Sequence, residues 1–180
     1  MCGIVGATAQ RNVYKILIEG LHRLEYRGYD SAGLSILDSD NVLQTRKTIG
    51  KVADLEAVCK GNFVSGNTGI SHTRWATHGA PSSINSHPHV SAGISIVHNG
   101  IIENHEEQCA RLKKLGYKFE SETDTEVIAH LIDYYHKKND LLKSTQLATK
   151  DLIGAYAIAV ISTENKDEII CARLGCPLII

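Results

Sequence analysis

The second residue of the chain, Cys2, could carry two reactive groups at once. Once Met1 is removed, Cys2 is the N-terminal residue and holds both a thiol and a free α-amine. That amine titrates near ~7.7–8.0, so it can take the proton of the thiol at neutral pH. A nucleophile whose base is the N-terminal amine is an established catalytic arrangement. The alternative is a small apolar residue at the start of a strand, because buried cysteines are usually inert.

A second group of candidate residues occupies the segment His72-Thr-Arg-Trp-Ala-Thr-His-Gly79, at the end of a predicted strand. Binding loops often lie at such positions. Arg74 could bind a carboxylate through two parallel hydrogen bonds, and Trp75 could close over a small substrate. The alternative is an exposed arginine beside a packed tryptophan. A metal site on His72 and His78 is not favoured, because no third ligand stands at a suitable spacing.

Asn99 and Gly100, in the segment Val97-His-Asn-Gly-Ile-Ile102, allow two interpretations. Asn-Gly is the strongest short signal for a type I′ hairpin turn, which would place the pair between two strands. Alternatively, the Asn99 side-chain amide and the Gly100 backbone N–H converge on one point and form an oxyanion hole. The pattern alone leaves both possibilities open.

Two more segments combine charge with a change of secondary structure. Ser121-Glu-Thr-Asp-Thr-Glu126 opens a predicted helix, and its Asp124 could pair with a substrate ammonium. The alternative is a capped helix start, with Thr123 and Glu126 forming a capping box. The segment Tyr26-Arg-Gly-Tyr-Asp-Ser-Ala-Gly33 turns a helix into a strand. We expect Gly28 and Gly33 to have positive φ there.

Composition excludes several classes of protein. The 180 residues suffice for one domain with a core, and 19 Lys and Arg against 20 Asp and Glu give a net charge of −1. Without a basic run, neither a nucleic-acid nor a membrane surface is predicted. The 5 cysteines are widely spaced and form no C-x-x-C pair, which argues for a reducing compartment. Because no secretory signal is recognisable, we expect a cytoplasmic protein.

Hydrophobic periodicity predicts alternating groups of strands and helices, which is typical of an α+β layered domain. Strands are predicted at 2–8, 32–37, 42–48, 70–73, 93–98, 155–162 and 168–172, and helices at 12–28, 51–59, 104–116, 123–135 and 141–151. Asn104 is the predicted N-cap of its helix, with Leu112 and Leu115 facing the core. Residues 177–180 read as the start of a further strand, so we expect the domain to be incomplete at its C-terminal end.

Five segments, in the right order, resemble the motifs of class II glutamine amidotransferase domains, which are N-terminal-nucleophile hydrolases. They are Cys2-Gly-Ile-Val-Gly, Arg27-Gly-Tyr-Asp-Ser-Ala-Gly, His72-Thr-Arg-Trp-Ala-Thr-His-Gly, His98-Asn-Gly and Thr123-Asp-Thr-Glu. Within the family, the chain is similar to the N-terminal glutaminase domains of glucosamine-6-phosphate synthases, the glutamine–fructose-6-phosphate aminotransferases. Trp75 and His78 favour this branch over the phosphoribosylpyrophosphate amidotransferases, and the extended third motif argues against asparagine synthetases.

The resemblance implies a four-layer αββα sandwich, with two antiparallel sheets between helices. It also implies that glutamine is split to glutamate and ammonia through a Cys2 thioester. In the full-length enzyme the ammonia would pass to fructose 6-phosphate, giving glucosamine 6-phosphate. Residues 1–180 would then be the glutaminase domain, without the sugar-phosphate isomerase domains. A homo-oligomer is expected for the full-length protein, and no cofactor or metal.

The family pattern also implies a role for each site residue. Asn99 and Gly100 would hold the oxyanion, while Arg74 binds the α-carboxylate of glutamine and Asp124 its α-ammonium. The remaining residues would surround the substrate or support the N-terminus: Trp75, Thr77 and His78 in the first role and Arg27 in the second. Two other classes stay open, namely an N-terminal-cysteine hydrolase for a different amide, and an inactive fragment that only packs against partner domains.

Overall fold

The computed structural model describes residues 2–76 and 79–180. Its strands, in chain order, are β1 (Gly3–Thr8), β2 (Ser31–Leu37), β3 (Leu43–Ile49), β4 (Thr68–Arg74), β5 (His89–Ser91), β6 (Ile94–Ile102), β7 (Gly154–Ser162) and β8 (Asn165–Leu174). Its α-helices are α1 (Tyr14–Leu24), α2 (Val52–Gly61), α3 (His105–Lys114), α4 (Asp124–His136) and α5 (Leu141–Lys150). Within the described residues, no helix is long and apolar enough to cross a bilayer.

The strands form two antiparallel sheets. The first sheet has the order β1-β4-β2-β3 and the second the order β5-β6-β7-β8. Strand β7 shows why they stack face to face. Ile158 and Val160 pack with the helices of the second sheet, whereas Ala159 and Ile161 pack between the sheets. Since side chains alternate between the two faces of a strand, a strand that is apolar on both faces must be covered on both.

Three apolar clusters account for the four layers. Helices α1 and α2 cover the first sheet through residues such as Leu17, Leu21 and Leu55. Helices α3, α4 and α5 cover the second sheet, with Leu131 among their buried residues. A smaller cluster that includes Ile70 joins the two sheets. The predicted α+β architecture, an αββα sandwich, is therefore confirmed.

The two glycines of the second motif serve different purposes. Gly28 ends the helical turn Glu25–Arg27 with φ +73°, as predicted. The prediction for Gly33 is wrong, because Gly33 lies within β2 and is not among the residues with positive φ. A Cβ at Gly33 would lie 2.1 Å from the His87 carbonyl oxygen. Gly33 therefore makes room for a neighbouring backbone, which is the other common use of glycine in a strand.

Asn99 and Gly100 do not form a hairpin turn. They lie within β6 and pair with Ala157 and Tyr156 of β7. The Asn-Gly signal is local, and here the long pairing with β7 outweighs it. Gly100 has φ +134°, and a Cβ there would lie 2.0 Å from the Ala155 carbonyl oxygen, so glycine is required for the close approach of β7.

Several local predictions are wrong in detail although their helices exist. Asn104 occupies the N-cap position of α3, as predicted, but its side chain makes no capping hydrogen bond. Its Nδ2 instead donates to the Asp151 carbonyl oxygen, and its Oδ1 accepts from the Ile153 N–H. Thr123 is likewise the N-cap residue of α4, as predicted, but its side chain makes no capping hydrogen bond. Leu115 is exposed rather than packed in the core. Residues 177–180 form no strand in the structure.

Candidate active site

Antiparallel pairing in the first sheet brings three sequence motifs to one end of that sheet. Gly3 of β1 pairs with Thr73 of β4, so Cys2 lies next to the end of β4 at Arg74. Arg74 in turn pairs with Ser31, the first residue of β2. The start of β1, the end of β4 and the start of β2 therefore meet, although the three segments are far apart in the chain.

The Cys2 thiol contacts the backbone of Trp75. The Trp75 N–H donates to Cys2 Sγ at 3.2 Å, and the Trp75 carbonyl oxygen lies 3.6 Å from the same sulfur. Burial raises the pKa of the Cys2 thiol, although the hydrogen bond from the Trp75 backbone acts in the opposite direction. A thiol with a raised pKa is a poor nucleophile at neutral pH, so it needs a nearby base.

Asp30 holds the loop that follows β4. Its carboxylate accepts from the Ala76 N–H at 2.5 Å and from the Ser31 hydroxyl at 2.9 Å. The Asp30 N–H donates to the Arg74 carbonyl oxygen at 2.7 Å. These bonds bracket Trp75 and so position the N–H that reaches Cys2. Sequence reasoning gave Asp30 no role, although its place in the second motif was a signal.

Asn99 comes to Cys2 from the second sheet. Its amide nitrogen Nδ2 donates to the Cys2 carbonyl oxygen at 3.4 Å. Its amide oxygen Oδ1 lies 2.9 Å from Nε2 of His72, on the first sheet. Asn99 therefore joins the two sheets beside Cys2, with its Nδ2 turned towards the Cys2 backbone.

A pocket of about 750 Å³ opens at this point, within the usual range for small-molecule sites. Every predicted site residue that the structure describes lines it: Cys2, Arg27, Arg74, Trp75, Asn99, Gly100 and Asp124. Thr77 and His78 lie outside the described residues. Sequence reasoning missed Glu103 and Cys176, which also line the pocket and lie outside all five motifs.

One cation and one carboxylate are buried in the wall of this pocket. Arg74 is 3% exposed and donates from Nη2 to the Gly79 carbonyl oxygen at 3.1 Å. Asp124 is 4% exposed; its Oδ2 accepts from the Ile102 N–H at 2.9 Å, and its Oδ1 lies 3.9 Å from His98 Nδ1. A pocket with one buried group of each sign is suited to a zwitterionic ligand.

Four buried histidines lie at or beside the pocket, and we call them the histidine group: His72, His87, His89 and His98. His87 and His98 line the pocket itself. His72 and His87 stack with ring centroids 4.2 Å apart. Burial lowers the pKa of both His72 and His89 to about 3, so these rings are neutral at neutral pH. In the described part of the chain, no group of three or more His, Cys, Asp or Glu could hold a metal.

Comparisons with known proteins agree with this geometry. Residues 72–176 match the family model of the glutamine amidotransferase domain. The whole chain is 55% identical to a glutamine–fructose-6-phosphate aminotransferase (isomerizing) of Xylella fastidiosa and 56% identical to that of Pseudomonas putida. It spans 30% of the length of each of these relatives.

Solved structures show the same architecture. Glutamine phosphoribosylpyrophosphate amidotransferase from B. subtilis aligns with 96% of this chain and 37% of its own, with 28% identity and a TM-score of 0.82. A glutamine aminotransferase class-II domain protein of Silicibacter pomeroyi aligns with 83% of this chain and 71% of its own, with a TM-score of 0.60. At 16% identity, the second likeness shows the fold alone.

Together, the two stacked sheets and the cysteine at the start of β1 define an N-terminal-nucleophile hydrolase fold. The family match covers more than half of the chain. The protein belongs to the glutamine amidotransferase domain family.

Proposed function

We propose that this chain hydrolyses the side-chain amide of glutamine to glutamate and ammonia. The observation that carries the proposal is the meeting of Cys2 and Asn99, with 3.4 Å between Asn99 Nδ2 and the Cys2 carbonyl oxygen, in a pocket that also holds Arg74 and Asp124. A nucleophile, an oxyanion donor and two opposite charges in one pocket are what the side-chain amide of a zwitterionic amino acid requires.

The reaction proceeds in two halves. Cys2 Sγ attacks the amide carbon of glutamine while its proton passes to the free Cys2 α-amine. The carbonyl oxygen becomes an oxyanion, which Asn99 Nδ2 and the Gly100 N–H stabilise. The protonated α-amine of Cys2 then gives its proton to the leaving nitrogen. Ammonia departs, and a γ-glutamyl thioester remains on Cys2. Water, deprotonated by the same amine, attacks the thioester and releases glutamate and the thiol.

Charge orients the substrate. Arg74 pairs with the α-carboxylate of glutamine and Asp124 with its α-ammonium, so that the amide end lies over Cys2. Trp75, Thr77 and His78 surround the substrate, and Arg27 supports the N-terminus. Specificity follows because a ligand that lacks either charge displaces water from Arg74 or Asp124 without supplying an opposite charge in its place, which is costly.

The names of the relatives suggest where the ammonia goes. The matched relatives are aminotransferases that act on glutamine and fructose 6-phosphate, and the chain spans 30% of their length. We therefore place this glutaminase beside sugar-phosphate isomerase domains, in a homo-oligomeric full-length enzyme that makes glucosamine 6-phosphate. The free state of its 5 cysteines suits the cytoplasm.

Ammonia release from glutamine by the purified chain is the primary test. Comparing glutamine with asparagine and with acylated amides separates this function from that of another N-terminal-cysteine hydrolase. A glutamine-like electrophile should label Cys2 alone among the 5 free cysteines. Absence of both turnover and selective labelling would leave the inactive-fragment alternative in its place.

Removing either charge of the pocket should mainly weaken glutamine binding. A hydrogen bond to a charged group is worth roughly 1.5–3 kcal/mol, so Arg74→Ala and Asp124→Asn should each raise KM by about ten- to a hundred-fold. Asp124→Asn is suitable because asparagine can still accept the Ile102 N–H. Steady-state kinetics measure the effect.

Asp133→Asn is the matched control for Asp124→Asn. Asp133 is also buried on α4, but it bonds the Tyr117 hydroxyl at 2.6 Å and does not line the pocket. It should leave KM unchanged. If glutamine derivatives lacking the α-carboxylate bind the unmodified protein as well as glutamine does, the assignment of Arg74 is wrong.

Replacing the oxyanion donor should slow the chemistry. Asn99→Ala is expected to lower kcat by roughly 10²–10³-fold with little change in KM, because the donor acts on charge that develops only in the transition state. Asn104→Ala is the control, since that side chain bonds Asp151 and Ile153 elsewhere in the fold. A fall in melting temperature with normal turnover of the folded fraction would make Asn99 a structural residue only.

A further inference from the structure

We propose that His72 is a positioning residue for the Asn99 amide, acting as a neutral imidazole with its proton on Nε2. The inference rests on the proposed function, because the Asn99 amide matters for turnover only if it binds an oxyanion. His72 Nε2 lies 2.9 Å from Asn99 Oδ1. This contact crosses between the two sheets, from β4 to β6.

The chemistry of the contact determines which atom carries the proton. An amide oxygen only accepts hydrogen bonds, so His72 Nε2 must be the donor towards Asn99 Oδ1. With Oδ1 held by His72, the NH₂ group at the other end of the amide faces Cys2, where Nδ2 lies 3.4 Å from the Cys2 carbonyl oxygen. The same orientation offers an N–H donor to the oxyanion that forms on the substrate carbonyl oxygen when Cys2 Sγ attacks.

The other tautomer would destroy this arrangement. If His72 carried its proton on Nδ1, Nε2 would be an acceptor and would favour the NH₂ end of the Asn99 amide. The amide would then turn over and direct Oδ1 at the reacting carbonyl, where two oxygens with partial negative charge repel each other. The proton position on His72 therefore decides whether the Asn99 amide presents an N–H donor or an oxygen to the oxyanion.

The surroundings hold the His72 ring in place and keep it neutral. His72 is 1% exposed and stacks on His87 with an interplanar angle of 30°. His87 is held in turn, because its Nε2 lies 2.8 Å from Thr125 Oγ1 in the first turn of α4. Burial also lowers the pKa of His72, against the opposing effect of Asn99, so the ring stays uncharged at neutral pH.

Two substitutions of His72 separate the donor from the volume it fills. His72→Leu removes the donor and should lower kcat for glutamine by about 10- to 100-fold with little change in KM. That is less than the roughly 10²–10³-fold expected when the Asn99 donor itself is lost. His72→Gln places an amide N–H at a similar reach and should restore most of kcat.

His89→Leu is the matched control. His89 is also buried in the histidine group, 4% exposed, with its ring centroid 4.9 Å from that of His87. Its Nε2 pairs with Thr123 Oγ1 at 3.0 Å rather than with Asn99. His89→Leu should lower the melting temperature as much as His72→Leu and leave kcat of the folded fraction unchanged. Equal loss of kcat in both variants would reduce His72 to a packing residue.

A double-mutant cycle tests whether His72 acts through Asn99. If it does, His72→Leu in the Asn99→Ala background should cause less than a twofold further loss of kcat, because the group it positions is gone. Multiplication of the two single losses would show that His72 acts independently of Asn99 and would overturn the proposal.

Nitrogen-15 NMR of the imidazole in the unmodified protein gives a readout that needs neither activity nor a variant that folds. We expect the His72 signals to show a proton on Nε2 and none on Nδ1 across neutral pH. A proton on Nδ1 would overturn the proposal even if glutamine is hydrolysed. If the unmodified protein shows the Nε2 proton but no glutamine hydrolysis, the proposed function fails while the contact between His72 and Asn99 stands.

Discussion

Cys2→Ala is expected to abolish ammonia release from glutamine and to leave the fold intact. The variant removes the only atom that forms the thioester, and loss of a nucleophile that acts together with its base typically costs more than about 10⁴-fold in kcat. The side chain is half-buried at the start of β1, outside the three apolar clusters, so little packing is lost. Ammonia release and a thermal melt are the two measurements.

Cys109→Ala is the control for this substitution. Cys109 lies on α3 and packs against the core of the second sheet, so its loss should affect stability slightly and turnover not at all. The Cys2→Ala protein should still bind glutamine in a calorimetric titration, because Arg74 and Asp124 are unchanged. Normal ammonia release from Cys2→Ala would contradict the thioester mechanism.

Chains that retain Met1 are expected to be inactive towards glutamine. With Met1 attached, the Cys2 nitrogen is a peptide amide, whose lone pair is delocalised into the carbonyl and cannot accept a proton at neutral pH. Burial already raises the pKa of the Cys2 thiol, so without that base almost no thiolate forms.

Mass spectrometry of the N-terminus, followed by separate assays of the two forms, measures this effect. Removal of Met1 should restore turnover. Because the α-amine acts as a base only when unprotonated, kcat/KM should rise with pH through its pKa of ~7.7–8.0 and then level off. Equal turnover by the form that carries Met1 would rule out the amine as the base and direct the search to His78 or His98.

Most of the secondary structure follows from the sequence alone. The apolar residues of α1 recur at helical spacing, and three of them, Leu17, Ile18 and Leu21, are fully or nearly fully buried. The paired strands β2 and β3 follow from β-rich runs on either side of a polar turn. These patterns are local, so a single sequence contains them. The order of the five motifs likewise pointed to the family before any contact was known.

Errors at the ends of elements have a common physical cause. The Asn104 side chain prefers the Asp151 and Ile153 backbone groups, which are nearly fifty positions along the chain, to its own helix. Likewise, glycine is required at position 33 because a Cβ there would collide with the His87 carbonyl oxygen. The turn before β2 does not require it. A capping or turn rule considers only neighbours in the sequence, and it fails where a distant backbone competes for the same atoms.

The sequence by itself determined the chemical groups of the candidate site, whereas their relation to one another was decided by tertiary structure. Asn99-Gly100 reads locally as a turn, and only pairing with β7 makes it part of a strand that can aim an amide at Cys2. His72 acquires a partner only because the two sheets stack and bring β4 against β6. The tautomer of a buried imidazole depends on which acceptor faces it, and that acceptor lies on a different sheet.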